Sequence, residues 1–214
     1  MSRQVITILV DNPNSWIIPC AQTIQNELSE TGHDCTLVHK HKEVRKGDIL
    51  IMISCIRIFK RLDFNNFNLV VHESALPKGR GMSPFTWQIL EGASEIPVTL
   101  LEASDQLDAG LIYNQKYIKL NGTELVEDWR AMQGQVTVDL VLDFVARYPN
   151  IKGVEQEGEP SYYRSRTLED SRLHLSKTIE EQFNLLRVVD NERYPAWFER
   201  NGVRYKVEIT KLDS

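Results

Sequence analysis

The chain has 214 residues, of which 42% are apolar and 26% are charged, a balance typical of a globular protein with one substantial core and a small appendage. Its net charge of −5 argues against a nucleic-acid-binding surface, which requires a basic stripe. No apolar run approaches the length of a membrane span, and the start, Met-Ser-Arg-Gln, lacks the layout of a signal peptide. The three cysteines, Cys20, Cys35 and Cys55, lack metal-site spacing, so we expect reduced thiols and a cytoplasmic location.

The first part of the chain alternates short apolar runs with a helical pattern. Four apolar runs predict strands, at residues 5–10, 35–39, 49–53 and 69–72. Between the first two, Ile17, Ala21, Ile24 and Leu28 recur at helical spacing, and Ser15 is the expected cap of that helix. This alternation predicts an α/β protein with a mostly parallel, doubly wound sheet. Neither Gly-x-Gly-x-x-Gly nor a Walker loop follows the first strand, so the sheet is Rossmann-like in its winding only.

The second part of the chain contains helix, linker and hairpin signals. Ser83 and Pro84 predict a helix start with a serine cap, and residues 98–101 predict another strand. Apolar side chains three or four apart predict a long amphipathic helix over residues 123–147, packed on the core. The Pro- and Gly-containing stretch 149–160 predicts a linker.

The C-terminal part reads as an appendage. Residues 176–189 predict a helix, and Asn201-Gly202 predicts a two-residue hairpin turn between strands at 196–199 and 203–209. We therefore divide the chain into a core, residues 1–150, and a linker with a small helix and hairpin region, residues 151–214.

Two side chains suit acid-base chemistry. His72 ends an apolar strand, and Asp108 lies in the acidic loop after the strand at 98–101. In wound sheets ligands bind at the carboxyl ends of the strands, where residues 11–16, Ser54, Cys55, His72 and the loop before Asp108 are expected. Either residue alone is more often structural, because single histidines and turn aspartates are common.

The surroundings of these two residues resemble a known family. The pattern His-x-Ser-x-Leu-Pro-x-x-x-Gly from His72, then Ser-Pro, and then Leu-Asp-Ala-Gly around Asp108, is similar to the 10-formyltetrahydrofolate-dependent formyltransferases. The resemblance implies a catalytic core over residues 1–150, 10-formyltetrahydrofolate as co-substrate, and a catalytic trio of Asn, His and Asp. His72 and Asp108 match the last two members, but Val70 stands at the Asn position and cannot donate a hydrogen bond.

The C-terminal region, residues 151–214, resembles one branch of this family in particular. The segment from Arg187 through Asn191 to Ala196 is similar to one found in sugar N-formyltransferases. The Asp-Asn-Pro-Asn-Ser-Trp start and the His72 loop resemble the pseudaminic-acid branch, which formylates UDP-4-amino-4,6-dideoxy-N-acetyl-β-L-altrosamine. The implied reaction is transfer of a formyl group to the 4-amino group of a UDP-linked amino sugar, by direct attack of the amine. His72 and Asp108 then act as oxyanion and acid-base residues.

The remaining candidate site residues follow from this interpretation. The candidate substrate contacts are Asn14, Trp16, Arg57, Lys78 and Arg80, with Arg57, Lys78 and Arg80 suited to a pyrophosphate. The candidate folate contacts are Ser74, Leu76, Glu102 and Asp105. No metal site is expected.

The sequence also allows other functions. The chain matches the methionyl-tRNA and glycinamide ribonucleotide formyltransferases less well, since it is acidic and carries this tail. A catalytically silent folate- or nucleotide-binding protein would explain Val70, but it would have little reason to keep both His72 and Asp108. An assembly subunit is the third alternative, and an exposed edge strand at 203–209 favours a homodimer.

Overall fold

A computed structural model describes residues 2–212, and ten strands and four α-helices occur in this range. The strands are β1 (Val5–Leu9), β2 (Asp34–Val38), β3 (Gly47–Met52), β4 (Asn65–His72), β5 (Arg80–Gly81), β6 (Glu95–Glu102), β7 (Ile112–Lys119), β8 (Tyr162–Tyr163), β9 (Ala196–Arg200) and β10 (Val203–Val207). The helices are α1 (Ile18–Glu30), α2 (Pro84–Leu90), α3 (Val126–Arg147) and α4 (Phe183–Val188). The predicted α/β class, with a small C-terminal hairpin region, is confirmed.

Six of these strands form the central sheet, in the order β2-β1-β3-β4-β6-β7. Strands β2, β1, β3 and β4 are mutually parallel, as expected from the helix and strand alternation. The chain moves from β1 to β2 on one side and then to β3 on the other, so the order of strands reverses beside β1. The carboxyl ends of β1 and β3 therefore bound a crevice of the kind that binds ligands in such sheets.

Strand β6 runs opposite to its neighbours, and this changes how the chain reaches the crevice. In the antiparallel pairing of β4 with β6, His72 lies opposite Thr99 and Leu69 lies opposite Glu102. The end of β6 is therefore level with the middle of β4, and the loop after Glu102 must turn back to reach His72. The sequence correctly indicated where this loop lies and predicted a mostly parallel sheet, but it did not specify the direction of β6.

The two faces of the sheet are covered differently. Helices α1 and α3 pack on one face in the larger core, which contains Ile24, Trp129 and Phe144. The second core consists of strand and loop residues such as Leu50 and Phe59. In the described chain, short 3-10 turns and loops cover this face in place of a helix.

The caps of α1 and α2 and the length of the C-terminal helix differ from the sequence predictions. The residue that caps α1 is Ile17 and not Ser15, and it makes no side-chain capping bond. Ser83 precedes α2 in a left-handed conformation, with φ of 53°, so its hydroxyl does not cap the helix either. Proline near the first turn begins both helices instead. The predicted helix over 176–189 is α-helical only in α4, because Ile179 is 74% exposed and has no core to pack against.

The hairpin has the predicted turn. Asn201 and Gly202 both have positive φ, 52° and 79°, which a two-residue type I′ turn requires. Strands β9 and β10 pair in register across it, and Tyr205 stacks on Phe198. The proposed boundary at residue 150 stays a prediction. No helix within residues 2–212 is long and apolar enough to cross a membrane.

A buried ion pair attaches the tail to the core. Arg187 of α4 donates from Nη2 to Oε2 of Glu124 at 2.8 Å and from Nε to the Glu124 carbonyl at 3.1 Å. Its own carbonyl accepts a hydrogen bond from the Trp129 indole of α3 at 3.1 Å. Both charged side chains are less than a tenth exposed. Removing one partner would leave the other buried without its counter-charge.

We expect Arg187→Met to lower the free energy of unfolding by about 3 kcal/mol, because it leaves the buried Glu124 carboxylate without its counter-charge. Arg200→Met is the matched control, since Arg200 is exposed at the end of β9 and should change stability little. Urea denaturation of both variants measures the difference. A loss below about 1 kcal/mol for Arg187→Met would show that the pair does not anchor the tail.

Candidate active site

A cleft of about 580 Å³ opens at the carboxyl ends of β1, β3 and β4. It wraps around the end of β4 and has two halves. One half lies on the second-core face and is lined by residues 52–59, Val70 and the loop at 101–108. The other half lies on the helical face and is lined by Trp16, Trp129 and residues of the tail. His72 and Glu73, at the end of β4, lie where the two halves meet.

His72 is 6% exposed and both of its ring nitrogens face acceptors. Nε2 lies 2.8 Å from the carbonyl oxygen of Gly79, and Nδ1 lies 3.6 Å from Oδ2 of Asp108. A carbonyl only accepts, so Nε2 donates to it, and the Asp108 carboxylate lies beside Nδ1. These two contacts fix the orientation of the His72 ring in the cleft.

Asp108 is held in place by the backbone of the loop that follows β4. It adopts a left-handed conformation, with φ of 51°, and its Oδ2 accepts a hydrogen bond from the Gly81 amide at 2.9 Å. Gln156 donates to the carbonyls of Asp108 and Gly110, at 2.9 Å each. The segment predicted to be a linker therefore fixes the Asp108 loop, which sequence reasoning missed because a single Gln in a polar stretch carries no signal.

Glu73 is a second residue that sequence reasoning missed. Its Oε1 accepts a hydrogen bond from the Gln133 amide of α3 at 2.6 Å, and its carbonyl accepts one from Gln88 of α2. Burial raises the pKa of the Glu73 carboxyl above its usual range; the charge of His72 opposes that shift and the charge of Asp108 adds to it. A charged residue directly after the strand that delivers His72 was the available signal.

Val70 presents an apolar side chain to the cleft. It packs with the second core and lies on the same face of β4 as His72, two residues away. The cleft therefore has no side-chain amide at this position.

The structure places some predicted site residues in the cleft and others outside it. Those that line the cleft are His72, Asp108, Trp16, Arg57, Glu102 and Asp105. Those that do not line it are Asn14, Ser74, Leu76, Lys78 and Arg80. Their roles in binding stay predictions.

Several of these side chains already have protein partners. Glu102 accepts hydrogen bonds from the Asn68 amide at 2.7 Å and the Tyr113 hydroxyl at 2.9 Å, and its burial raises the pKa of its carboxyl. Arg80 donates to Gln156 at 2.6 Å. Both side chains therefore position the backbone around the site.

Three arginines that the sequence did not single out line the helical half of the cleft. Arg130 pairs with Asp190 at 2.9 Å, and Arg193 donates to the backbone carbonyl of Asn14. Arg166 donates to Ser171 at 3.1 Å, and burial lowers the pKa of its guanidinium. Together with Trp16 and Trp129 they give this half the cationic and aromatic groups that suit an anionic, ring-bearing ligand.

The cysteines are not placed as nucleophiles. Burial raises the pKa of Cys55, at the cleft, to about 12, so the group remains a thiol at neutral pH. Among residues 2–212 no group of three His, Cys, Asp or Glu side chains is arranged to hold a metal ion. The acid-base groups at the end of β4 are therefore the chemically prominent feature of the cleft.

The fold and this cleft define an α/β enzyme that binds a ligand at the carboxyl edge of its sheet. The formyl transferase family model matches residues 18–137, more than half of the chain. The chain belongs to this family. It is an N-formyltransferase, and its co-substrate is 10-formyltetrahydrofolate, as the sequence indicated.

Solved structures share the fold over nearly the whole chain. Methionyl-tRNA formyltransferase from Clostridium thermocellum is 20% identical with a TM-score of 0.81, and the match covers 99% of this chain and 94% of that one. A sugar N-formyltransferase from Shewanella is 16% identical with a TM-score of 0.72, covering 98% of both. HypX from Aquifex aeolicus, in complex with tetrahydrofolic acid, is 20% identical with a TM-score of 0.82, covering 97% of this chain and 38% of that one. At these identities the likeness establishes the fold.

The second-core half of the cleft fits the flat rings of a folate. Its wall is apolar where Met52 and Val70 face it, and Ile56, Ile58 and Leu107 at its rim are 65%, 69% and 49% exposed. The loop at 103–108 adds backbone groups for ring hydrogen bonds. Pockets for small ligands commonly combine such apolar walls with a few polar groups.

The loop that carries Asp108 depends on a glycine, so we expect Gly110→Ala to reduce both stability and formyl transfer. A Cβ at Gly110 would lie 1.9 Å from the carbonyl oxygen of Glu102, and the backbone must shift, at a cost of about 1–3 kcal/mol.

Glu30→Ala is the control, because Glu30 is exposed at the far end of α1. Thermal unfolding and transfer rate measure both variants. Equal activity of Gly110→Ala and Glu30→Ala would contradict the requirement for a fixed loop.

Proposed function

We propose that the protein is a sugar-nucleotide N-formyltransferase that formylates the 4-amino group of a UDP-linked amino-dideoxy sugar. The particular acceptor we propose is UDP-4-amino-4,6-dideoxy-N-acetyl-β-L-altrosamine, which rests on the resemblance of the Asp11–Trp16 and His72 segments to the pseudaminic-acid branch. The full-length likeness to a sugar N-formyltransferase from Shewanella supports the choice of a sugar as acceptor.

The observation that carries the proposal is the division of the cleft at the end of β4. An apolar half suits a folate, and the other half offers Trp16, Trp129 and arginines to a nucleotide sugar. A group-transfer enzyme must hold two substrates with their reacting atoms together. His72 lies at the junction of the two halves, where those atoms would meet.

The side chains at this junction have defined roles in the proposal. The co-substrate supplies a formyl group, whose oxygen gains negative charge when an amine attacks the carbon. His72 stabilises that charge, with backbone amides of the loop at 103–108 as further donors. Asp108 lies beside the ring of His72 and orients it. Val70 gives this site no side-chain donor, so electrostatic stabilisation by His72 carries more of the catalysis.

Arginines supply the recognition of the pyrophosphate. Arg166 and Arg193 approach the helical half of the cleft from the tail, whereas Arg57 lines the second-core half, where the folate is proposed to bind. Guanidinium groups suit phosphate oxygens because they donate in pairs. Lys78 and Arg80 become weaker candidates, since they do not line the cleft and Arg80 donates to Gln156.

We also propose a homodimer formed through the tail hairpin. The outer strand β10 pairs only with β9 in the described chain, and Val203 and Tyr205 on it are 52% and 46% exposed. An unpaired edge with apolar side chains is suited to pairing with a second copy.

Incubation of the protein with 10-formyltetrahydrofolate and a panel of UDP- and dTDP-linked 4-amino sugars tests the proposed function. We expect the altrosamine derivative to gain the mass of one formyl group. His72→Ala should lower kcat by about 10²–10³, since it removes the side chain proposed to stabilise the oxyanion.

Asp108→Asn is the companion variant, because it keeps the acceptor for Gly81 but removes the charge beside His72. It should also lower kcat while leaving thermal stability nearly unchanged. Formylation of no sugar in the panel, by a wild-type protein that binds folate, would overturn the sugar assignment.

A further inference from the structure

We propose that Glu73 receives the protonated amino group of the acceptor and removes its proton, so that Glu73 is a catalytic residue of the transfer. This inference rests on the proposed function, because it requires an amine acceptor in the helical half of the cleft. It assigns the residue next to His72 a separate chemical task.

The reaction requires such a base. A primary amine carries a proton at neutral pH and has no lone pair for attack until the proton leaves. His72 is not placed to accept it, because Nε2 donates to the Gly79 carbonyl and Nδ1 faces the Asp108 carboxylate. Asp108 itself accepts a hydrogen bond from the Gly81 amide and lies beside the His72 ring.

Glu73 has the geometry for the task. It follows His72 at the end of β4, and its hydrogen bond with Gln133 turns it toward the α3 face of the sheet. This is the half of the cleft lined by Trp16, Trp129 and the arginines. Gln133 fixes Oε1, and within residues 2–212 no other side chain hydrogen-bonds the carboxylate, whose further contact is with its own backbone amide. One oxygen is thus held and the other is available to an ammonium group.

The surroundings of Glu73 strengthen it as a base. Burial raises the pKa of its carboxyl, the charge of His72 and the hydrogen bond from Gln133 act against that shift, and the charge of Asp108 adds to it. The other groups that face it, from α2 and α3, are uncharged at Gln88 and Gln133, and Arg130 on α3 is paired with Asp190. A raised pKa makes a carboxylate a better proton acceptor.

The proton balance is as follows. The ammonium gives one proton to the Glu73 carboxylate, and the neutral amine attacks the formyl carbon to form the new C–N bond. The attacking nitrogen then loses a second proton, which goes to the folate nitrogen as its bond to the formyl carbon breaks. Glu73 releases its proton to solvent after the products leave. No oxidant or reductant is involved.

The pH dependence of kcat/KM in Glu73→Gln tests the inference. We expect a loss of about 10²–10³ at pH 7, because general-base assistance typically contributes about 10²–10⁴. The deficit should shrink as the pH rises, since solvent then deprotonates the acceptor without the enzyme. Glu27→Gln makes the same chemical change on the exposed face of α1 and should behave as the wild type.

A second variant keeps the test independent of whether Glu73→Gln folds. Gln133→Leu removes a hydrogen bond that favours ionised Glu73, so the acid limb of the kcat/KM profile should move to higher pH.

Thermal unfolding adds a readout that does not depend on the acceptor. Because the folded-state pKa of Glu73 is raised, its ionisation lowers stability as pH rises from the unfolded toward the folded value. Glu73→Gln should therefore raise Tm relative to wild type more at pH 8 than at pH 5.

The outcomes separate the inference from the function. If wild type formylates the sugar and Glu73→Gln follows the same pH profile at the same rate, the inference is wrong and the proposed function stands. An unmoved acid limb in Gln133→Leu would also overturn it. If wild type formylates no acceptor, the proposed function fails and the inference falls with it.

Discussion

The site depends on one local constraint, which is that the loop after β4 folds back over the ring of His72. The Gly79 carbonyl meets Nε2, and two residues later the Gly81 amide meets Asp108, so a single short segment holds both groups. Tyr163 passes so close to Gly81 that an added Cβ would lie 2.3 Å from its carbonyl oxygen. The position of the His72 ring is thus defined by backbone geometry, which the pairing of β5 with β8 maintains.

The antiparallel strand β6 explains why the cleft has two halves. Because β6 ends level with the middle of β4, the loop after it must return along the second-core face to bring Asp108 to His72. That return path covers the sheet where a helix would otherwise lie, and it leaves an apolar wall for the folate. The opposite half stays open on the helical face, where α3 and the tail supply polar and aromatic groups.

The tail contributes to the site as well as to stability. The pair between Arg187 and Glu124 fixes α4 against the start of α3, and the segment after α4 then brings Asp190 and Arg193 to the cleft. Upstream, the hydroxyl oxygen of Ser161 accepts a hydrogen bond from the Gly79 amide at 2.9 Å, and Gln156 fixes the Asp108 loop. The function of the core therefore relies on segments that the sequence predicts to be a linker and an appendage.

The sequence by itself determined the class of fold, the strand and helix order of the first part, the hairpin at Asn201-Gly202 and the pairing of His72 with Asp108. These depend on local periodicity, on turn residues with positive φ and on a short motif, all of which are written in neighbouring residues. Only the tertiary structure decided the direction of β6, the short tail helix, and the roles of Glu73 and Gln156. Those outcomes depend on which distant groups meet, as Gln133 meets Glu73 across sixty residues of chain, and no local pattern encodes such a contact.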